Sequence, residues 1–353
     1  MRAWRVHRYG RPSEALELDE IPEPEPGPGT VRVRTHATVC NYNEVDGCRG
    51  RYLTVNPPLP YVLGMEVTGV VDAAGSGAEA WVGRRVVATA QGAYGGHAEA
   101  VIAPMDMVFD APPTLDDTGA AAFFFPFHLA SLGLHERGRL VAGETVLVHA
   151  AAGGVGSAAV QLARAAGARV IATAGGPEKV AFVRDLGADV VIDYRAADFV
   201  AAVDEATGGS GVDLVFDGVG GEVGARSLGC LARNGRYLVV GFASGIEAEE
   251  VATVTPRALC FGQFSVGGVL LSYTSRPLEA RRATGFNVTP RAVGDAVHIH
   301  LLHLLAAGAI RPIVGREVAF AELPAALEAM AQRKTTGRVV VHLREWTSTT
   351  LGG

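Results

Sequence analysis

Val146-Leu-Val-His-Ala-Ala-Ala-Gly-Gly-Val-Gly-Ser-Ala-Ala-Val-Gln-Leu-Ala163 passes from a β-branched apolar run through glycines into helical periodicity. That transition decides the fold, because it has the shape of a cradle for a dinucleotide's phosphates. The spacing Gly153, Gly154, Val155, Gly156 lets the backbone turn tightly and leaves no Cβ where a pyrophosphate approaches. It also lets the helix from Ser157 pack close to its strand. Free N–H groups at the helix start would then face the anion. The usual G-x-G-x-x-G pattern has a glycine where Ala151 stands. Taken alone, the segment therefore also fits a glycine-rich strand-to-helix turn with no ligand.

A second apolar run, Arg169-Val-Ile-Ala-Thr-Ala174, arrives where a βαβ unit needs its next strand, and it ends in Gly175-Gly-Pro-Glu-Lys179. A unit built for NAD places an Asp or Glu about 20 residues after the glycines, where the carboxylate accepts from the ribose 2′-hydroxyl. Here that place holds glycines, with Lys179 just beyond. Open backbone and an ammonium suit a 2′-phosphate, which a carboxylate would repel, so the expected cofactor is NADPH. Lys179 equally fits a solvated lysine in a helix's first turn.

With 353 residues the chain is long enough for two domains, and its 48% hydrophobic residues, 19% charged residues and 45 glycines fit a loop-rich globular α/β protein. A formal net charge of −6 argues against a nucleic-acid or anionic-membrane partner. No charge-free apolar run has the length of roughly 18 residues that a membrane span needs, apart from the small-residue helix after the cradle. The start, Met1-Arg-Ala-Trp-Arg-Val-His-Arg8, reads as a strand rather than a signal peptide, so a cytoplasmic protein is expected. Cys40, Cys48, Cys230 and Cys260 are too scattered for a structural zinc cluster or a disulfide framework. Free thiols are expected.

Residues 1 to about 110 read as short β runs, among them Thr30–Thr35, Glu66–Val71 and Arg84–Thr89, with Pro/Gly punctuation at 22–29 and 57–60. This predicts a β-rich, barrel-like domain. From about 115 helices alternate with strands expected at 145–150, 169–174, 190–194, 214–219, 236–242 and 265–271. Six strands with helical crossovers make an α/β doubly wound parallel sheet. Two helices near 291–307 and 322–333 and a last strand, Arg338–His342, are left over. They are expected to return to the first domain, giving domains of 1–124 with 275–353, and 125–274.

Further segments, Asn41-Tyr-Asn-Glu44, Gly50-Arg-Tyr52, Gly64-Met-Glu-Val-Thr-Gly69, Gly96-His-Ala-Glu99, Leu186-Gly-Ala-Asp189, Val191-Ile-Asp-Tyr194, Phe216-Asp-Gly-Val-Gly220 and Thr336-Gly-Arg-Val-Val340, run nearly end to end. Together with the cradle, in this order, they resemble a zinc-free member of the medium-chain dehydrogenase/reductase superfamily, nearest its NADPH:quinone oxidoreductases. The resemblance implies a Rossmann-type sheet, a GroES-like catalytic domain, and hydride transfer from NADPH to a quinone or an α,β-unsaturated carbonyl. In the related zinc enzymes a Cys and a His hold the metal, and here Asn41 and Met65 stand in their places, so no metal is expected.

The resemblance also assigns roles. Gly175, Lys179, Tyr194 and Arg338 fall near the 2′-phosphate, and Gly241, Phe242 and Ser244 near the nicotinamide half. Tyr52 matches a tyrosine that acts as acid in enoyl-thioester reductases, and it equally fits an aromatic lid. Asn41 would offer its amide to nicotinamide or substrate, or cap a loop. His128 stands near a position where relatives carry Thr-Ala, and would replace a hydroxyl contact or pack. His298, His300 and His303 read as ordinary packing or surface histidines. An enoyl-thioester reductase and a non-catalytic NADPH-binding protein are the alternative functions. A homodimer is implied, paired through the apolar edge strand 265–271.

Overall fold

Short runs of Val, Leu and Ile form parallel strands here because helices cover both of their faces, so neither face needs polar side chains. In the computed structural model, which describes residues 1–51, 57–244 and 254–343, the strands are Thr145–Val148, Arg169–Ala174, Val190–Asp193, Val212–Asp217, Leu231–Val239 and Ser265–Gly268. Numbered by their place in the chain, they lie in the order 3-2-1-4-5-6 and are all parallel. Val146, Leu147, Val148, Val170, Ile171, Leu214 and Val215 are fully buried. Helices Gly154–Ala165, Pro177–Asp185, Phe199–Thr207 and Gly221–Ser227 connect the strands.

The chain winds outward from the first strand and then returns to its other side, where Leu214–Phe216 pairs with Val146–Val148. The switch point between the first and fourth strands is where such a sheet opens a crevice for a ligand. The expected fifth strand, 236–242, in fact begins at Leu231 and ends at Val239. It ends early because the N–H groups of Val240 and Gly241 turn onto the carbonyl of Asp217, at 2.8 and 3.3 Å.

Two compact units result. One is Met1–Phe124 joined by the chain from Val314, and the other is Phe125–Ile313. The expected return to the first unit at 275 therefore comes 39 residues later, at Val314. The physical reason is a set of contacts inside the second unit. Tyr273–Thr274 pairs with Thr289–Pro290, and Gly294 of the following helix, Arg291–Ala306, lies against the Tyr273 ring. The Gln161 amide then grips Arg311 at both backbone groups, donating to its carbonyl at 3.1 Å and accepting from its N–H at 2.9 Å.

The first unit is built on one long strand, Thr30–Val39. Along one side it pairs with Glu66–Ala74 over nearly its whole length, while on the other its first half pairs with Ala100–Pro104 and its end with Arg338–His342. Register shifts at Arg32/Val33 and Thr35/Ala37 bend the strand, since each unmatched residue adds local twist. The resulting seven-stranded sheet is completed by Arg85–Thr89, Val108–Asp110 and Val314–Ala319. One core fills it around Val31, Val33, Val86 and Val101. A second core, around Trp4, Leu63, Phe320 and Leu327, is roofed by the helix Leu323–Ala331.

Candidate functional site

The first strand ends at Val148, and Ala150 then adopts a left-handed conformation with φ of 51°. This turns the chain into Gly153, which caps the helix Gly154–Ala165. A Cβ on Gly156 would stand 2.2 Å from the carbonyl oxygen of Ala150, so glycine alone lets the helix approach its strand this closely. The first backbone bond inside the helix runs from the Ser157 N–H to the Gly153 carbonyl, 2.9 Å. Among the described residues no acceptor meets the N–H groups of Gly154, Val155 and Gly156. Three open donors at the positive end of a 12-residue helix are what a pyrophosphate requires.

At the ends of the second and third strands, Gly175 is buried and Gly176 has φ of 91°. A Cβ at Gly175 would stand 2.5 Å from the Tyr194 hydroxyl, so the ring lies directly on that backbone, with Tyr194 43% exposed. Lys179 is half-buried in the first turn of the helix beginning at Pro177. The sequence-predicted Gly175, Lys179 and Tyr194 thus belong to one pair of neighbouring loops. Arg195, which sequence reasoning passed over, joins them: its Nε would lie 3.1 Å from a Cβ at Gly175. Its only signal in the sequence is that it follows Tyr194.

The loops after the fourth and fifth strands meet through Asp217. This buried carboxylate accepts the N–H groups of Val219 and Gly220 and the hydroxyl of Tyr237, the last at 2.5 Å. Ala243 and Ser244 donate their N–H groups to Gly218 and Val219. Gly241, Phe242 and Ser244 all lie around Gly220. His149, which the sequence reading did not single out, is buried between the hydroxyls of Thr173 and Ser227, at 2.9 and 2.8 Å. Burial lowers its pKa, and the neutral ring ties the first strand to its neighbours. All these loops belong to the carboxyl ends of the parallel strands, where the fold binds ligands.

In the first unit, Asn41 begins the helix Tyr42–Cys48 and is 6% exposed. Its amide donates to Glu66 at 3.0 Å and Glu44 at 3.3 Å, and its oxygen accepts from Arg338 at 2.9 Å. Both amide hydrogens are therefore spent, and Asn41 presents no open donor to a nicotinamide or a substrate oxygen. Arg338, 5% exposed, also bonds to Glu66. In place of an open surface cation for a phosphate, the structure shows a buried brace. Glu44 completes the network by accepting the N–H groups of Asn41 and Met65 and bonding to His97 at 2.9 Å. Burial pushes the Glu66 carboxyl up, against the pull of Arg338.

This donor set does not suit zinc. Met65 is buried and its thioether accepts from Asn43. Burial raises the pKa of the Cys40 thiol well above its usual range, which disfavours the thiolate a metal needs. Among the described residues there is no group of three or more His, Cys, Asp or Glu side chains placed to hold a metal ion.

Tyr52 lies outside the described residues. His128 is buried and bonded through Nδ1 to the Tyr273 hydroxyl and through Nε2 to His298 Nδ1, each at 3.0 Å. His298 is thus a core residue with a hydrogen-bonding task, whereas His300 and His303 are exposed.

A parallel sheet with a glycine-rich strand-to-helix turn at its switch point, in a chain that also folds a bent, largely antiparallel sheet, is an architecture suited to binding a dinucleotide. The sequence matches the alcohol dehydrogenase GroES-like domain over residues 27–113 and the zinc-binding dehydrogenase family over 154–284. The human quinone oxidoreductase is 34% identical over 273 residues, 77% of this chain and 80% of the relative. The Escherichia coli quinone oxidoreductase, solved in complex with NADPH, superposes with a TM-score of 0.85 at 29% identity, over 97% of this chain and all of that one. A stretch covering 14% of a phenolphthiocerol/phthiocerol polyketide synthase chain from Mycobacterium tuberculosis is 32% identical to 94% of this chain. The chain belongs to the medium-chain dehydrogenase/reductase superfamily, among its quinone oxidoreductase-like proteins.

Removing one member of the buried ion pair leaves the other charge without compensation. Arg338→Met is expected to destabilise the chain by about 3–5 kcal/mol in urea unfolding. Arg338→Lys recovers less than half of this, because an ammonium cannot reach Asn41 and Glu66 with one planar fork. Full stability in Arg338→Met would show that the brace carries no load.

Proposed function

We propose that this chain is an NADPH-dependent oxidoreductase that reduces a quinone or an α,β-unsaturated carbonyl without a metal. The observation that carries the reading is the cradle, in which a Cβ at Gly156 would strike Ala150 and three helix N–H groups stand open. Gly153, Gly154, Val155 and Gly156 would hold the pyrophosphate, and Gly175, Lys179 and Tyr194 the 2′-phosphate. Gly241, Phe242 and Ser244 would border the nicotinamide half. Bound there, NADPH supplies the hydride. The acceptor's oxygen then needs a proton, and a phenol with its ordinary pKa near 10 is protonated at neutral pH, so Tyr52 is the proposed donor. Asn41 and Arg338 enter only as braces of the strand-to-helix turn that precedes it. A cytoplasmic location goes with this reading and with the free Cys40, Cys48, Cys230 and Cys260. No helix among the described residues is long and apolar enough to cross a membrane.

The similarity to a stretch of a polyketide synthase supports an enoyl-thioester reductase as the second reading. Steady-state NADPH oxidation separates the two: kcat/KM is expected to be higher with 1,4-benzoquinone than with crotonyl-CoA. The reverse order would overturn the quinone assignment, and tight binding without oxidation by any electrophile would favour a non-catalytic NADPH-binding protein. Tyr52→Phe is expected to lower turnover with NADPH affinity unchanged. Lys179→Ala is expected to weaken NADPH more than NADH in a fluorescence titration. An unchanged preference would remove Lys179 from the phosphate site.

A homodimer through the sheet edge belongs to the same proposal. The sixth strand, Ser265–Gly268, is paired on one side, to the fifth strand. Val266 and Leu270 are each 41% exposed, and Phe261 79%. An apolar open edge invites pairing, and a two-fold axis would close it. Light scattering at micromolar concentration should give twice the chain mass. A monomer would contradict the edge pairing.

A further inference from the structure

Arg195 and Asp193 form an arrangement that the proposed cofactor contacts leave unused. The carboxylate of Asp193, at the end of the third strand, accepts the N–H of Gly176 and the N–H of Arg195, both at 3.0 Å through the same oxygen. One carboxylate thus clips the loop after the second strand to the loop after the third. The clip fixes where the next two side chains go. The Tyr194 hydroxyl and the Arg195 Nε would lie 2.5 and 3.1 Å from a Cβ at Gly175, and Arg195 Nη1 3.4 Å from one at Gly176. A side chain at either glycine would fill the space in front of the guanidinium.

Arg195 is exposed, and among the described residues no carboxylate lies within 4.0 Å of its guanidinium. Other arginines of the same unit are committed elsewhere: Arg226 to Asp198 and Arg236 to Glu144. Asp193 itself bonds to backbone, and those bonds, Gly176's first, hold its pKa below the ordinary range. The carboxylate is therefore ionised at neutral pH, and its bonded oxygen faces N–H groups.

On the reading of the site as an NADPH site, we propose that Arg195 is a second cationic contact for the ribose 2′-phosphate and that Asp193 is the residue that positions it. A guanidinium presents paired N–H donors that match the oxygens of a phosphate monoester. A ribose with a free 2′-hydroxyl offers no charge for it to meet. Arg195 therefore discriminates between phosphorylated and unphosphorylated cofactor, while the cradle at Gly153 to Gly156 binds the pyrophosphate common to both.

The test is a fluorescence titration of the full chain with NADPH and NADH, with adenosine 2′,5′-bisphosphate and adenosine 5′-monophosphate as competing probes. Arg195→Ala is expected to weaken NADPH and the bisphosphate about tenfold, the effect of losing one charge-assisted contact at an exposed site. NADH and the monophosphate are expected to stay within about twofold. Arg195→Lys restores part of the loss. Asp193→Ala lowers the NADPH preference in the same direction, with NADH affinity as the control for an intact fold. If the unaltered chain prefers NADPH and Arg195→Ala keeps the full preference, the role of Arg195 is wrong and the NADPH reading stands. If the unaltered chain shows no preference between the two cofactors, the NADPH reading fails and this inference fails with it.

Discussion

The close approach of Gly156 to the carbonyl of Ala150 is the contact on which the candidate cofactor site depends. It holds the first helix of the parallel sheet against its strand and aims the open N–H groups of Gly154, Val155 and Gly156 at the switch point. A methyl group there would meet backbone rather than a yielding side chain, so the helix itself would have to move. The neighbouring loops are fixed by hydrogen bonds of the same local kind. Asp193 joins the second and third loops, and Asp217 joins the fourth and fifth. Each carboxylate satisfies backbone donors that a tight turn would otherwise leave unpaired.

The first unit spends its polar groups in the opposite manner. Glu44, Glu66, Asn41, His97 and Arg338 are buried and bonded to one another. Desolvating these charges is costly, and their mutual bonds offset it. The arrangement fixes the start of the helix Tyr42–Cys48 relative to the strands carrying Glu66 and Arg338. In the second unit, by contrast, the N–H groups of Gly154, Val155 and Gly156 meet no acceptor among the described residues. The contrast separates polar groups that hold one another from donors left open at a helix start.

Much of the second unit was readable because strands covered on both faces appear as unbroken apolar runs, and the cradle carries a glycine spacing with a physical cause. The strand ends were less readable. Where Val240 leaves the fifth strand is decided by the carbonyl of Asp217, more than twenty residues earlier in the chain. The unit boundary was misplaced for a similar reason: nothing local in the sequence says that Gln161 will hold Arg311. Asn41 was recognisable as a polar residue at a telling position. That its amide is consumed depends on Glu66, 25 residues away, and on Arg338, 297 residues away. Contacts of that separation leave no periodicity to detect. Arg195 escaped notice because an exposed arginine beside a tyrosine looks like any solvated charge until the backbone of Gly175 is seen beneath it.

The bonded series Tyr273–His128–His298 has a consequence of its own. Burial and the neighbouring His298 lower the pKa of His128, so its ring carries a single proton and one of its nitrogens must accept. If the Tyr273 hydroxyl donates to Nδ1, the His128 proton sits on Nε2 and points at His298. If His298 donates to Nε2, the proton sits on Nδ1 and points at Tyr273. These two polarities are the only ones that satisfy both bonds with a neutral His128 ring, and exchanging them requires protons to shift together along the row. A core that looks static in its atomic positions therefore holds one binary degree of freedom, written in the direction of its hydrogen bonds.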